Sequence, residues 1–311
     1  YSNSNGLFDL RKSLTKKLKI ENNIITKPEN IIITSGSKQA CAFALMALLE
    51  PKDEVICINP SYVSYIPQIK IAEPRSKIRI VNLDKDFNLN FEDLNKNINK
   101  KTKVIIINSP NNPTGKIFSK TDFLKLYKLI AKKNIFIISD EIYEKLILKN
   151  NHFSPASIKK MSKKIITING FSKTFAMTGW RIGYLVANDD IIKKITSLSM
   201  HINTNVNTFI QKGLIDAYNL NKNFIENFKN KLINKSKYLD SVVNKKHCYN
   251  LILPEGGFFA FLNIEKTKLS SDKFSYYLLS KYNVAVTPGI IFGKNWDNYI
   301  RISMSTNTKE F

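Results

Sequence analysis

The chain has 311 residues, 43% hydrophobic and 11% aromatic, enough for a sizeable core in one large or two medium domains, and this excludes a disordered chain. Its longest apolar stretch, residues 40–49, is far short of the roughly 18 residues that span a bilayer. The net charge of +23 is mostly lysine, spread along the sequence in no basic block, which reads as a solvated surface and argues against a nucleic-acid or membrane partner.

In chain order, Leu7, Leu10, Leu14 and Leu18 recur at helical spacing and predict a first helix. An apolar strand at 31–34 stops at Ser35-Gly36-Ser37, and a helix pattern follows over 38–49. Strands are predicted at 54–58, ending at Asn59-Pro60, at 77–81, and at 104–107, ending at Asn108-Ser-Pro-Asn-Asn-Pro-Thr-Gly115. A helix over 120–132 precedes a strand at 135–139, which stops at Asp140-Glu141; another strand at 165–168 stops at Asn169-Gly170-Phe-Ser-Lys173. From residue 191 to about 241 the pattern is helical. Short strands at 249–253, 258–263 and 299–303 then surround a helix at 272–281. Continuous apolar strands alternating with helices imply a parallel sheet covered on both faces. The expected fold class is therefore α/β: a three-layer α/β/α large domain over 1–225 with a mostly parallel sheet, and a smaller α+β domain over 226–311.

Polar residues of unusual type sit just beyond the carboxyl ends of these strands, where open α/β sheets bind ligands. Ser35-Gly36-Ser37-Lys38 is either a plain capped turn or a helix N-terminus that takes phosphate. It is neither a Walker loop nor a GxGxxG, so nucleotide and nicotinamide readings lose support. Asp140, at the end of a buried strand, needs a partner: an ion pair, a helix cap or a ligand. If a helix follows it, Tyr143 faces the same way. Lys173 is a surface charge or, in an apolar pocket that lowers its pKa, an amine able to form a Schiff base with an aldehyde. Only five arginines occur among 48 basic residues, so Arg181 and Arg301 mark places where a bidentate fork is needed for an anion. Together these parts describe a pyridoxal phosphate (PLP) site, in which the cofactor supplies an electron sink and the protein supplies placement. Three cysteines, Cys41, Cys57 and Cys248, and three scattered histidines give no disulfide framework and no metal site.

Gly170-Phe-Ser-Lys-Thr-Phe-Ala-Met-Thr-Gly-Trp-Arg-Ile-Gly183 resembles the PLP-lysine signature of class I/II, fold type I, aminotransferases of the aspartate/aromatic kind. Tyr1…Gly6…Leu10-Arg11, Asn59-Pro-Ser-Tyr62, Asn112-Pro-Thr-Gly115, Asp140-Glu-Ile-Tyr143, Pro254-Glu-Gly-Gly-Phe258 and Arg301-Ile-Ser match in the same order, so the resemblance covers essentially the whole chain. It implies Lys173 as catalytic amine and proton shuttle and Asp140 on the pyridine nitrogen. Tyr143 and Asn112 would contact the ring oxygen, and Tyr62 would stack on the ring. Gly36, Ser37, Lys38 and Arg181 would hold the phosphate, with Arg301 on the substrate carboxylate beside Asn112. It also implies a homodimer, in which Tyr1 of the partner subunit reaches the phosphate, and cis bonds at Asn59-Pro60 and Asn112-Pro113. Where relatives carry a phosphate-binding serine this chain has Gly170, with Ser172 or backbone amides as substitutes.

The implied reaction is transfer of an amino group from an L-amino acid, aspartate or aromatic, to a 2-oxo acid such as 2-oxoglutarate, by a ping-pong route. A lyase or synthase of the same fold (β- or γ-elimination) and a PLP-sensing regulator domain remain open, since fold does not fix reaction. The expected location is cytoplasmic. The start without Met and the clipped match at both ends read as a fragment, which leaves a targeting segment open.

Overall fold

Every apolar run read as a strand in the first half of the chain forms one in the computed structural model, which describes residues 2–217, 223–243, 245, 249–308 and 311. The elements are α1 (Phe8–Asn22), β1 (Ile31–Thr34), α2 (Ser37–Leu48), β2 (Glu54–Asn59), α3 (Tyr65–Ala72), β3 (Lys77–Asn82), α4 (Phe91–Asn97), β4 (Thr102–Asn108), α5 (Lys120–Ile130), β5 (Phe136–Asp140), β6 (Ile165–Gly170) and β7 (Gly183–Val186). Then come α6 (Asp189–Ile202), α7 (Thr208–Gly213), α8 (Asn223–Val243), β8 (Asn250–Leu251), β9 (Phe259–Asn263), α9 (Ser271–Tyr282), β10 (Thr287–Pro288) and β11 (Tyr299–Ser303).

The large sheet runs β1-β7-β6-β5-β4-β2-β3. Pairs from β3 through β6 are parallel, and β7 alone runs against its neighbours β6 and β1. Because β7 is reversed, its first residue, Gly183, lies level with the last residues of both neighbours, Thr34 and Gly170. Asn108 and Asp140 are likewise level at the ends of β4 and β5. The register therefore delivers the strand-end polar residues, and Arg181 just before β7, to one edge of the sheet.

Strands β2, β5 and β6 are buried almost throughout, which explains their Ile-rich, mostly apolar character. On one face the sheet packs Ile32, Val55, Val104 and Ile166 against α2, α3 and α6. On the other, Ile56, Ile105 and Ile137 meet Phe123 and Leu126 of α5. That second core continues into the small sheet through an aromatic cluster in which Phe261 stacks on Tyr299 at 4.7 Å and Phe87 and Trp296 close the sides. Each such ring buried contributes roughly 1.5–3 kcal/mol. The small antiparallel sheet, β10-β11-β9-β8, has its own core with Leu232 and Val243 of α8 and Phe274 of α9.

Several details differ from the sequence reading. Helix α3 was not expected, because Pro67 obscured it; a proline in the first helical turn costs nothing, since that N–H has no intrahelical partner. Short α4 and the four-residue β7 lack enough periodicity to register. The helical stretch from 191 to 241 is several helices, with α6 ending at Ile202 and α7 starting at Thr208. The segment after Asp140 is a chain of turns, not a helix, held by Glu144 N–H donating to Glu141 O and Leu146 N–H to Tyr143 O. Among the described residues no helix is long and apolar enough to cross a membrane.

Candidate active site

A cavity of about 520 Å3 opens over the carboxyl edge of the sheet, lined among others by Ser37, Lys38, Tyr62, Asn112, Asp140, Tyr143, Lys173, Arg181 and Arg301. Gly36 adjoins it, with its Cα facing the Arg181 guanidinium. All the site residues expected from sequence thus converge, except Tyr1, which lies outside the described residues. Asn59-Pro60 and Asn112-Pro113 are cis, as is Ser109-Pro110.

Asp140 ends β5 as a buried carboxylate with no cation: no lysine, arginine or histidine among the described residues pairs with it. Its Oδ2 accepts the Tyr65 hydroxyl at 2.7 Å, and among the described residues Oδ1 has only the Ile142 N–H at 3.2 Å. Burial pushes its pKa up to about 6, against the pull of those two donors. A buried carboxylate in this state favours a ligand that brings a positive N–H.

Lys173 follows β6 on the loop to Arg181. It is half-buried, makes no ion pair with a described residue, and sits 5.3 Å from the Phe258 ring. Burial first, then Arg181 and Arg301, lower its pKa, which favours the neutral, nucleophilic amine.

The N-terminus of α2 forms the third wall. Like α1, α3 and α7, helix α2 has no side-chain cap, and its N-cap position is Gly36. Gly36 has φ +81°, and a Cβ there would lie 2.6 Å from Arg181 Nη2; only glycine allows this approach. Arg181 donates from Nη1 to Thr178 O at 3.0 Å, which aims its guanidinium across the helix start. Free amides at a helix N-terminus beside a guanidinium suit a phosphate. At Gly170 a Cβ would meet Gly183 Cα at 3.1 Å and Ile182 O at 3.2 Å, so a larger residue is crowded, and the Ser172 hydroxyl lines the cavity instead.

On the opposite side Arg301 donates from Nη1 to Asn112 Oδ1 at 2.9 Å and from Nη2 to Thr287 Oγ1 at 3.2 Å. Its buried Nε has no acceptor among the described residues, and the guanidinium lies 4.1 Å over the Phe259 ring. Asn112 and Tyr143 line the same cavity wall, and the Tyr143 pKa is raised chiefly by burial. Asn108 fixes this group by donating to Asp140 O at 2.9 Å and accepting from Asn112 N–H at 2.7 Å.

A family model for aminotransferase class I and II matches residues 1–311. The chain belongs to that family. This aminotransferase is 35% identical to a probable aspartate aminotransferase of Methanocaldococcus jannaschii, over all of this chain and 82% of that protein. It superposes on the aromatic aminotransferase of Pyrococcus horikoshii with a TM-score of 0.96 at 35% identity, covering all of this chain and 84% of that one. The aspartate aminotransferase of Thermus thermophilus solved with maleate matches with a TM-score of 0.93 at 30% identity, over 99% and 80% of the two chains. The family depends in general on PLP.

Sequence reading missed Tyr65, Asn108 and Thr178, all on the aminotransferase's cavity wall. The three-residue spacing of Tyr62 and Tyr65, one helical turn, was the signal available for the first. Asn203, Asn205 and Asn207 belong to a neighbouring cavity of about 350 Å3 that shares Arg181.

Proposed function

We propose that this aminotransferase binds PLP in the 520 Å3 cavity and moves an amino group from an L-amino acid, aspartate or aromatic, to a 2-oxo acid such as 2-oxoglutarate. The observation that carries the reading is that Lys173 and the cation-free Asp140 line one cavity. When bound, PLP supplies an aldehyde for amines and a ring that draws electrons from the substrate carbon.

The residues divide the remaining work. Asp140 holds a proton on the ring nitrogen by pairing with it. Asn112 and Tyr143 hydrogen-bond the ring oxygen, and Tyr62 covers a ring face. The α2 amides of Ser37 and Lys38, the open approach at Gly36, the Ser172 hydroxyl and Arg181 hold the phosphate. Arg301 takes the substrate carboxylate on its guanidinium, which Asn112, Thr287 and the Phe259 ring hold in place. Lys173 would hold the aldehyde carbon of bound PLP, and its neutral Nζ would carry the proton of the substrate Cα, a role its lowered pKa supports.

A homodimer fits the same reading, with Tyr1 of the partner subunit at the phosphate. Trp180, Met200, Ile202 and Phe209 support it, being each at least half exposed on the α6–α7 side of Arg181. The relatives' names support aspartate and aromatic donors. The test is a half-reaction screen of the PLP-loaded protein against the common amino acids. The expected result is formation of the donor's 2-oxo acid, followed by amination of added 2-oxoglutarate. Ammonia release without an oxo-acid acceptor would replace this reading with elimination chemistry.

A further inference from the structure

Tyr65 lines the cavity with no role toward cofactor or substrate, yet it makes the shortest contact to Asp140. It is buried at the first position of α3, its backbone N–H donates to Tyr62 O at 3.1 Å, and its ring stands edge-on to Tyr62 at 5.6 Å and 81°. Its hydroxyl donates to Asp140 Oδ2 at 2.7 Å, with both groups buried.

We propose that Tyr65 is a positioning residue for Asp140: its hydrogen bond orients the carboxylate and keeps it ionised, and so sets the pH range in which Asp140 receives the protonated ring nitrogen of PLP. This rests on the cofactor reading given above.

The surroundings leave Tyr65 without a substitute. The titratable groups facing Asp140 are Tyr65 from α3, Cys41 from α2, and Glu141 and Tyr143 from the segment after β5. Cys57 of β2 stands behind Cys41. None of these is a cation, and Glu141 opposes ionisation of Asp140. The second donor, Ile142 N–H, serves the other oxygen at the longer 3.2 Å. Burial and the neighbouring carboxylate also hold the Tyr65 pKa well above its usual value, so the phenol keeps its proton and stays a donor wherever Asp140 titrates. A tyrosine placed there only for packing would need no carboxylate within reach of its hydroxyl; phenylalanine would fill the same space.

The experiment measures equilibrium PLP affinity of the full chain across pH for wild type, Tyr65→Phe, Asp140→Asn and the double variant, with circular dichroism as the folding check. In Tyr65→Phe the acid limb of affinity is expected to move up by about one pH unit, which is about tenfold weaker binding on that limb. Affinity at high pH should stay within about twofold. In the loaded enzyme kcat should fall while KM for the amino donor holds. In the Asp140→Asn background, Tyr65→Phe is expected to add nothing, since the partner that titrates is gone. An unmoved acid limb in Tyr65→Phe, or an equal loss in both backgrounds, overturns the role of Tyr65 alone. Wild-type affinity and pH dependence in Asp140→Asn instead removes Asp140 from the cofactor, and the inference about Tyr65 falls with it.

Discussion

Asp140 and Glu144 are two buried carboxylates four residues apart, and the fold treats them in opposite ways. Glu144 meets Lys17 of α1 in a buried ion pair, and Asn22 donates to its other oxygen at 2.6 Å. Burial alone would raise its pKa, but Lys17, His152 and Asn22 hold it down to about 2. Asp140 has hydrogen-bond donors but no cation, and its pKa rises to about 6. Between them Glu141 is saturated by Ser139, Ser154 and His152 at 2.8 to 2.9 Å. One turn of chain thus holds two carboxylates finished by the protein and one left for a ligand. A buried ionised group that a scaffold leaves unpaired costs stability, so its position marks where binding is to restore the balance.

Changing each carboxylate to its amide separates the two cases. Glu144→Gln takes the close carboxylate from the buried Lys17 ammonium and leaves it the longer 3.7 Å pairing to Glu21, and the expected loss is about 2–4 kcal/mol, read as a lower urea midpoint. The native Glu144 pair has its full effect above about pH 4.5 and loses it as the pH falls through about 2, so the difference between wild type and variant should narrow in acid. Asp140→Asn should act with the other sign in the cofactor-free protein. The raised folded-state pKa means that protonation of Asp140 favours folding below about pH 3.8, an effect lost as pH rises through about 6. The amide is neutral throughout, so above pH 6 the variant is expected to be more stable by on the order of 1–3 kcal/mol, while its PLP affinity falls. Loss of stability in both variants would erase the contrast. Arg301→Lys is the mildest change. A point charge replaces a fork held by Asn112 and Thr287, and amino-donor binding is expected to weaken about tenfold with PLP affinity unchanged. Unaltered donor binding would take Arg301 out of the substrate site.

The sequence made some of this contrast readable. Asp140 stood out because it stops the run Ile135-Phe-Ile-Ile-Ser139, and Lys173 because it follows another apolar strand inside a long motif. Those signals are local. The pairing of Lys17 with Glu144 joins residues 127 apart, and the contact between Tyr65 and Asp140 joins residues 75 apart; neither leaves a spacing to find. The parallel strands were legible as apolar blocks, whereas β7, which sets Arg181 beside Gly36 by running backwards, is too short to announce itself. The three-residue spacing of Asp140 and Tyr143 would suit a helix, but turns bring the tyrosine to the same cavity.

The most direct test concerns Lys173. Treating the PLP-loaded protein with borohydride, then digesting it and mapping the peptides, locates the amine bonded to the cofactor. The expected result is the cofactor's mass on the peptide carrying Lys173 and none in Lys173→Ala. Label on another lysine, or equal labelling of that variant, would contradict the assignment of the cavity.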